Sequence, residues 1–323
     1  MKETKRCKLK TERVFLAMGI IVGTLFGADG VRRSFESRRP YNLKVQGDFR
    51  DAGEHDEAPA GSSLSFTPSA QTTTVFEGVE NVGLSEYELS KEDVSKGVLS
   101  IYTDSKAAKE SDQEKMTDLS KAKNDFYTLC DEKVYLNEDA ADALNSMMED
   151  YANETALTDF IVYGTTETYT GDGSYCPKAF AESKAGYCVD LALNAGGYVL
   201  PYDGYDAEGW VVENCWKYGF IVRYPEGKRE KTGNEYCPWH LRYVGDIHAA
   251  IMKQKSMCLE EYVDFLEQYT LEEPYSFSFN GIAYQIYSVT GSEDKLTTRV
   301  PVAGNYELSG DNKNSFIITA LKN

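Results

Sequence analysis

Two neighbouring stretches decide the fold of this chain: KYGFIVRYPEGK (residues 217–228) and YCPWHLRYVG (residues 236–245). Each contains a short run of apolar and aromatic residues bounded by glycine or proline, a pattern that predicts a buried β-strand. A helix that leads into the first of these strands is predicted over GWVVENCWKYG (residues 209–219), because Gly219 is well suited to end a helix in a left-handed conformation. The two stretches are therefore predicted to be the last two strands of a folded core.

The segments around these strands predict a mixture of helices and short strands. LNEDAADALNSMMEDYAN (residues 136–153) has apolar residues at helical spacing, and Asn137 stands where it can cap the helix. DFIVYG (residues 159–164) and GYCVDLAL (residues 186–193) predict buried strands, and DIHAAIMKQK and CLEEYVDFLEQY predict two closing helices. Because helices and strands do not alternate strictly, the pattern indicates the α+β fold class.

The quoted stretches, together with GYCVD (residues 186–190), closely resemble the motifs of VanY-type D-alanyl-D-alanine carboxypeptidases, which trim the peptide stems of bacterial cell wall. The resemblance covers residues 93–270 and is strongest from residue 209 onward. It implies a zinc D,D-carboxypeptidase-like core, a small antiparallel sheet with flanking helices. It also implies one zinc ion as cofactor, and a peptidoglycan stem peptide with a D-Ala-D-Ala terminus as partner.

The family binds zinc through S-x-H-x-x-G-x-A-x-D and the histidine of E-P-W-H, in which the glutamate is the general base. Compared position by position, the resemblance implies that Asp190 and His240 are metal ligands. Three other functional positions are replaced: Ser183 stands at the first histidine ligand, Cys237 at the general base, and Thr166 at the arginine that binds the substrate carboxylate. These replacements imply that catalysis is lost or severely weakened.

Three further residues of the second stretch are assigned to the substrate side of the site. Trp239 lies inside the family motif and is predicted to be pocket wall or core. Arg242 and Tyr243 belong to the W-H-x-R-Y motif and are predicted to brace the strand that carries His240 beside the bound peptide.

Two cysteines leave three arrangements of the site open. Strand alternation places Cys188 on the same face as Asp190. A disulfide between Cys188 and Cys237 is favoured outside the cell and would contribute roughly 2–4 kcal/mol. Alternatively, both cysteines join Asp190 and His240 in a closed four-ligand zinc site, or only one of them does so and water keeps the fourth position.

The N-terminal segment predicts attachment to a membrane. Basic residues precede the apolar run VFLAMGIIVGTLFGA (residues 14–28), so residues 1–40 are predicted to be a cytoplasmic stub and an uncleaved signal anchor. The protein would then cross the cell membrane once, with its C-terminal domain outside the cytoplasm. The alternative is secretion after cleavage of a signal peptide. Residues 41–92 predict a low-complexity extracytoplasmic tether.

Residues 271–323 predict a C-terminal β extension of the core domain at 93–270. YSFSFNGIAYQIYSV (residues 275–289) alternates about Asn280-Gly281, which is typical of a hairpin. NYELSGDNKNSFIITA (residues 305–320) predicts further strand. An edge cover for the core and a separate wall-contact module both fit this extension.

The charge of the chain argues against nucleic acid as a partner, and the motifs leave three functional alternatives. The formal net charge is −18, and nothing basic clusters beyond residue 45, so nucleic acid is not a predicted partner. The sequence predicts a membrane-anchored, D-alanyl-D-alanine carboxypeptidase-like envelope protein that acts on or binds stem peptides. The alternatives are an active zinc metallocarboxypeptidase with a rearranged Cys/Asp/His site, and a non-catalytic structural envelope protein.

Overall fold

A computed structural model of the 323-residue chain describes residues 84–322, except 110–112, 131–133, 165–180, 205–208, 291–294 and 302–305. The predicted signal anchor, most of the predicted tether and Thr166 lie outside the described residues. Within the described ranges, no helix is long and apolar enough to cross a bilayer.

The described residues form six α-helices and fourteen strands. The helices are α1 (Leu119–Ala122), α2 (Glu138–Thr155), α3 (Trp210–Asn214), α4 (Arg229–Thr232), α5 (Asp246–Lys255) and α6 (Leu259–Leu266). The strands are β1 (Leu84–Ser90), β2 (Met116–Asp118), β3 (Thr128–Leu129), β4 (Tyr135–Asn137), β5 (Phe160–Gly164), β6 (Cys188–Ala195), β7 (Tyr198–Pro201), β8 (Phe220–Tyr224), β9 (Cys237–Tyr243), β10 (Tyr275–Phe279), β11 (Ile282–Thr290), β12 (Lys295–Pro301), β13 (Tyr306–Gly310) and β14 (Ser315–Leu321). The predicted α+β fold class is confirmed.

The centre of the fold is a six-stranded sheet with the order β3-β5-β6-β9-β8, in which β7 also pairs with β6. The strand pairs are antiparallel except for the short parallel pair of β3 and β5. Helix α2 contributes Leu144, Met148 and Tyr151 to the same hydrophobic core as Val189 of β6 and Leu241 of β9. One face of the central sheet is therefore covered by the core, and the opposite face is left for other contacts.

The sequence of α2 explains where the helix begins and which face it buries. The side chain of Asn137 accepts hydrogen bonds from the backbone N–H groups of Asp139 and Ala140, which caps the first turn as predicted. The apolar residues recur at helical spacing and are buried. The last residue is followed by Ala156 in the left-handed conformation, where the helix ends.

The C-terminal extension is a four-stranded antiparallel sheet with the order β10-β11-β14-β13. Asn280 and Gly281 connect β10 to β11, and both have positive φ angles (53° and 79°), as a two-residue type I′ turn requires. The predicted hairpin is confirmed. In addition, β1 pairs along its whole length with β12 in a two-stranded ribbon. Residues 84–90, which fall in the range of the predicted tether, are thus a strand bound to the extension.

A buried histidine joins the extension to the closing helices. His248 of α5 contacts Tyr262 of α6 through Nδ1 (2.7 Å to the hydroxyl oxygen), and Thr319 of β14 through Nε2 (3.1 Å to Oγ1). Burial lowers the pKa of His248 to about 3. Between about pH 3 and pH 6.5 the imidazole is therefore neutral in the folded protein, whereas the unfolded chain protonates it.

This histidine predicts a loss of stability in mild acid. The unfolded chain takes up a proton near pH 6.5 and the folded chain only near pH 3, so the contribution is present above pH 6.5 and is lost as the pH falls. Between pH 7.5 and pH 5.0, we expect the free energy of unfolding to fall by about 2 kcal/mol more in the wild type than in His248→Gln. Urea titration at the two pH values measures both differences. Equal falls in the two proteins would contradict a neutral His248.

Candidate active site

The two implied metal ligands lie directly opposite each other in the central sheet. Asp190 of β6 pairs in register with His240 of β9. Asp190 Oδ1 lies 2.5 Å from His240 Nδ1, and both side chains are buried. The strand register therefore brings Asp190 and His240 together, in agreement with the resemblance.

The neighbouring positions of β6 and β9 place a thiol and a guanidinium on the same face. Cys188 pairs in register with Arg242, two residues along each strand from Asp190 and His240. Side chains two apart in a strand share a face, as predicted for Cys188 and Asp190. The alternate residues of both strands belong to the hydrophobic core on the opposite face. The polar face of this strand pair is thus the candidate site.

A residue that the sequence analysis did not single out completes the site. Glu182 directly precedes a short 3-10 helix, Ser183–Ala185, and its side chain is fully buried. Its Oε1 lies 3.0 Å from His240 Nε2, and its Oε2 accepts hydrogen bonds from Arg223 (3.0 Å) and Arg242 (3.1 Å). Glu182 therefore links the second ring nitrogen of His240 to two buried guanidinium groups.

The sequence does contain a signal for Glu182. Arg223 and Arg242 stand in strands that were predicted to be buried, and a buried arginine requires an anionic partner. Arg223 also donates two hydrogen bonds to the carboxylate of Glu260 in α6 (3.1 and 2.6 Å). The sequence therefore predicts that the buried arginines have carboxylate partners. Which acidic residue is the partner depends on the conformation of the loop before β6.

An aromatic ring closes the site on a further side. Tyr224 stacks on His240 with ring centroids 5.5 Å apart and planes inclined by 10°. The guanidinium group of Arg223 lies 4.8 Å from the centroid of the Tyr224 ring. Since each ring nitrogen of His240 faces a carboxylate, these contacts fix the orientation of the imidazole.

The buried charges balance when His240 is protonated. Burial alone would raise the pKa of Glu182, but the two guanidinium groups and His240 hold it well below its ordinary value. Burial raises the pKa of Asp190. Burial opposes a charge on His240, yet Asp190 raises its pKa well above the ordinary value. We interpret the site as an imidazolium held between two carboxylates.

The predicted disulfide between Cys188 and Cys237 is not formed, because Cys188 is a free thiol. Cys188 is paired with Arg242, five residues along β9 from Cys237. Even with the register shift between β8 and β9, that separation corresponds to about 10–16 Å, whereas a disulfide needs Cα atoms within roughly 7 Å. The prediction was wrong because alternation along one strand shows only which face a residue lies on. It does not show the distance between a residue of β6 and a residue of β9.

The predicted four-ligand zinc site is corrected for the same reason. Cys237 is buried beside Tyr224 and Trp239. Among the described residues, the potential metal donors that cluster are Glu182, Cys188 and His240, whose donor atoms all lie within 4.8 Å of one another. Cys237 is outside that group.

The donor set nevertheless fits a zinc ion. A carboxylate oxygen, an imidazole nitrogen and a thiolate sulfur are all ordinary zinc ligands, and three protein ligands leave one position open. Glu182, Cys188 and His240, whose donor atoms cluster, would hold the ion, while Asp190 would orient the imidazole from its other nitrogen. A zinc ion bound there would polarise a carbonyl group and lower the pKa of a bound water. Because the ligands must be deprotonated, the metal would compete with the proton on His240.

The remaining assigned residues differ in how they face the site. Arg242 is fully buried and donates to the carbonyl oxygens of Val98 (3.0 Å) and Ser100 (3.4 Å). Tyr243 packs edge-to-face on Phe220 in the hydrophobic core. The assignment of these two residues to the substrate is therefore corrected, because neither side chain is free to reach a bound peptide. Their predicted bracing role agrees with these contacts.

The last of the predicted site residues are Trp239 and two of the replaced positions, Ser183 and Thr166. Trp239 is half-buried against the core, and its indole Nε1 has no hydrogen-bond partner among the described residues. Ser183 is the first residue of the 3-10 helix that follows Glu182. Thr166 lies outside the described residues.

Comparisons with known proteins agree on one family. Residues 180–246 match the family VanY, described as D-alanyl-D-alanine carboxypeptidase. A D-alanyl-D-alanine carboxypeptidase of Enterococcus faecium is 33% identical over 260 residues, which cover 76% of this chain and 83% of that protein. The putative carboxypeptidase YodJ of Bacillus subtilis is 32% identical over 151 residues, covering 41% of this chain and 55% of its own.

A solved structure shares the fold. The vancomycin resistance D,D-dipeptidase VanXYg, in complex with a D-Ala-D-Ala phosphinate analogue, superposes with a TM-score of 0.62 at 23% identity. The match covers 74% of this chain and 100% of that one. The predicted zinc D,D-peptidase-like core is thereby confirmed as a fold.

Proposed function

Because the chain belongs to the VanY family of D-alanyl-D-alanine carboxypeptidases, we propose that it binds peptidoglycan stem peptides at the Asp190–His240 site and hydrolyses them weakly or not at all. The observation that carries the proposal is that the site keeps its Asp–His pair but lacks the family's general base. The buried pair of Asp190 and His240 is intact, whereas the general-base position three residues earlier is the thiol of Cys237.

Two nearby carboxylates, Glu235 and Glu182, are poorly suited to replace the missing general base. Glu235, two residues before Cys237, is 72% exposed and forms an ion pair with Arg229 on the surface. The buried Glu182 already accepts hydrogen bonds from two arginines, and these hold its pKa well below the ordinary range. A carboxylate held so firmly in its ionised form is a poor acceptor for the proton of an attacking water.

The proposed place of action is the outer face of the cell membrane. The basic segment followed by the apolar run at residues 14–28 supports a signal anchor with the folded domain outside. Stem peptides are available on that side of the membrane. This part of the proposal is supported by sequence alone.

Peptide binding without release of D-alanine is the expected result for the full-length protein. Isothermal titration with a peptide ending in D-Ala-D-Ala should show binding that is lost in His240→Ala and kept in Glu213→Ala, whose side chain is 67% exposed and pairs with Lys253. Release of D-alanine should stay at the background level with added zinc and with chelator. Chelator-sensitive release would contradict the proposal, and the absence of binding would leave a structural role.

A second candidate function is an active zinc carboxypeptidase with a rearranged site. The cluster of Glu182, Cys188 and His240 donor atoms favours it, because Cys188 can replace the missing histidine ligand. Cobalt substitution tests it, since a cobalt–thiolate bond gives an intense near-ultraviolet absorption that Cys188→Ser would abolish. Chelator-sensitive D-alanine release that disappears in Cys188→Ser would support this function over the first.

A further inference from the structure

We infer that residues Ser309–Asn312, which form the end of β13 and the start of the turn to β14 (called the turn below), position His240 through two intervening layers of hydrogen bonds. The inference concerns the same site as the proposed function, and its functional significance rests on that function. The contacts that carry it are independent of whether peptide binds.

The first layer joins the turn to the segment at residues 98–101. The backbone N–H of Leu99 donates to Ser309 Oγ (2.9 Å), and the hydroxyl of Ser100 donates to the carbonyl oxygen of Gly310 (2.9 Å). The next residue of the segment, Ile101, donates its N–H to the carbonyl oxygen of Asp311 (3.0 Å). Its own carbonyl oxygen accepts from the side-chain amide of Asn312 (2.9 Å). Four successive residues of the turn therefore hold this segment.

The second layer joins the same segment to the buried charges. Arg242 Nη2 donates to the carbonyl oxygens of Val98 and Ser100, and Nη1 donates to Glu182 Oε2. Glu182 Oε1 in turn meets His240 Nε2. The position of the segment thus sets the position of the guanidinium group, and the guanidinium group fixes one of the carboxylates that flank the imidazole.

The turn is itself rigid, which a positioning role requires. Asp311 Oδ1 accepts hydrogen bonds from the backbone N–H groups of Lys313, Asn314 and Ser315. A Cβ atom at Gly310 would lie 2.1 Å from the carbonyl oxygen of Val94, so only glycine allows this approach of the two backbones. The C-terminal sheet is therefore joined to the site through the segment at residues 98–101, which agrees with an edge cover for the core, whereas a wall-contact role stays a prediction.

The experiment compares two buried thiols of the full-length protein under native conditions. Cys188 lies 4.0 Å from Arg242 Nη1 on the site face, whereas Cys215 belongs to the hydrophobic core on the other face of the sheet. Both are nearly inaccessible. Alkylation resolved by mass spectrometry gives the ratio of the two labelling rates. Global unfolding exposes both thiols, so the ratio isolates local opening of the site.

We expect Ser309→Ala to raise the Cys188:Cys215 labelling ratio by about threefold to tenfold, the change that loss of one buried hydrogen bond corresponds to. Asn312→Gly, which keeps the positive φ of that position and removes the amide, should act in the same direction. Lys313→Ala is the matched control, because its side chain lies in the same turn but pairs with Asp264 on the surface.

A second readout follows the imidazole directly. The proton shared by Asp190 Oδ1 and His240 Nδ1 across 2.5 Å should give a far-downfield proton resonance, which shifts or broadens in Ser309→Ala and not in Lys313→Ala. An unchanged ratio, or equal increases at Cys188 and Cys215, would overturn the inference. Failure of the peptide to bind to the wild type counts against the proposed function alone, since neither readout uses peptide.

Discussion

Glu182→Ala is expected to lower the free energy of unfolding by about 3–5 kcal/mol, the range for breaking a buried ion pair from one side. Glu182 has no exposed surface, and its carboxylate is shared by Arg223, Arg242 and His240. Alanine would leave these cations without their common acceptor, while Glu260 and Asp190 each remain bound to only one of them. Urea denaturation at pH 7.5 measures the change.

Two comparisons separate charge from packing in this result. Glu182→Gln keeps the shape and one acceptor oxygen, so its loss of stability should be smaller than that of alanine. Glu213→Ala removes a carboxylate from a surface ion pair and should cost less than about 1 kcal/mol. If Glu182→Ala were no more harmful than Glu213→Ala, the buried arrangement of charges described above would be wrong.

The effect of Glu182→Ala should also depend on pH. The pKa of Glu182 is depressed in the folded protein, so its contribution is complete above the unfolded value of 4.5 and declines as the pH falls below it. The difference in stability between wild type and Glu182→Ala should therefore narrow below about pH 4.5.

The second large expected effect is a gain of catalytic activity. Ser183→His together with Cys237→Glu should raise zinc-dependent release of D-alanine by about 10²-fold or more, since a positioned general base contributes 10²–10⁴-fold. The double change returns a histidine and a glutamate to the two positions at which the resemblance implies the first zinc ligand and the general base. Release from a pentapeptide stem, assayed with zinc and with chelator, measures the gain.

The single variants and a dead background complete this test. Ser183→His alone should bind zinc more tightly without a comparable gain in release, because the base is still a thiol. His240→Ala in the restored protein should abolish both properties. If the double variant bound no zinc, the correspondence of Ser183 and Cys237 to the family positions would be wrong. Zinc binding without release would identify the arginine missing at Thr166 as the remaining defect.

The sequence was sufficient for the parts of the fold that local pattern determines. The cap at Asn137, the helix that it begins and the hairpin at Asn280-Gly281 depend on residues adjacent in the chain. The meeting of Asp190 and His240 came from the family motifs, and the strand register supports it.

What the sequence could not supply depends on tertiary contacts. Glu182 lies just before a short 3-10 helix, and no periodicity shows which way such a residue turns. The distance from Cys188 to Cys237 depends on how β6 and β9 are offset, which alternation within a strand does not report. The pairing of β1 with β12 joins segments about 200 residues apart. The composition of the predicted tether that contains β1 is typical of a linker, so the sequence did not indicate this strand.

The ribbon of β1 and β12 has a mechanical consequence. A pull on the chain ahead of Leu84 enters the described domain at the first residue of β1, which is opposite Pro301 at the end of β12. The tension is therefore carried first by the paired backbones of this seven-residue strand. We expect the ribbon to open under load before the central sheet does, because it has only two strands, whereas the strands that carry Asp190 and His240 lie inside a six-stranded sheet.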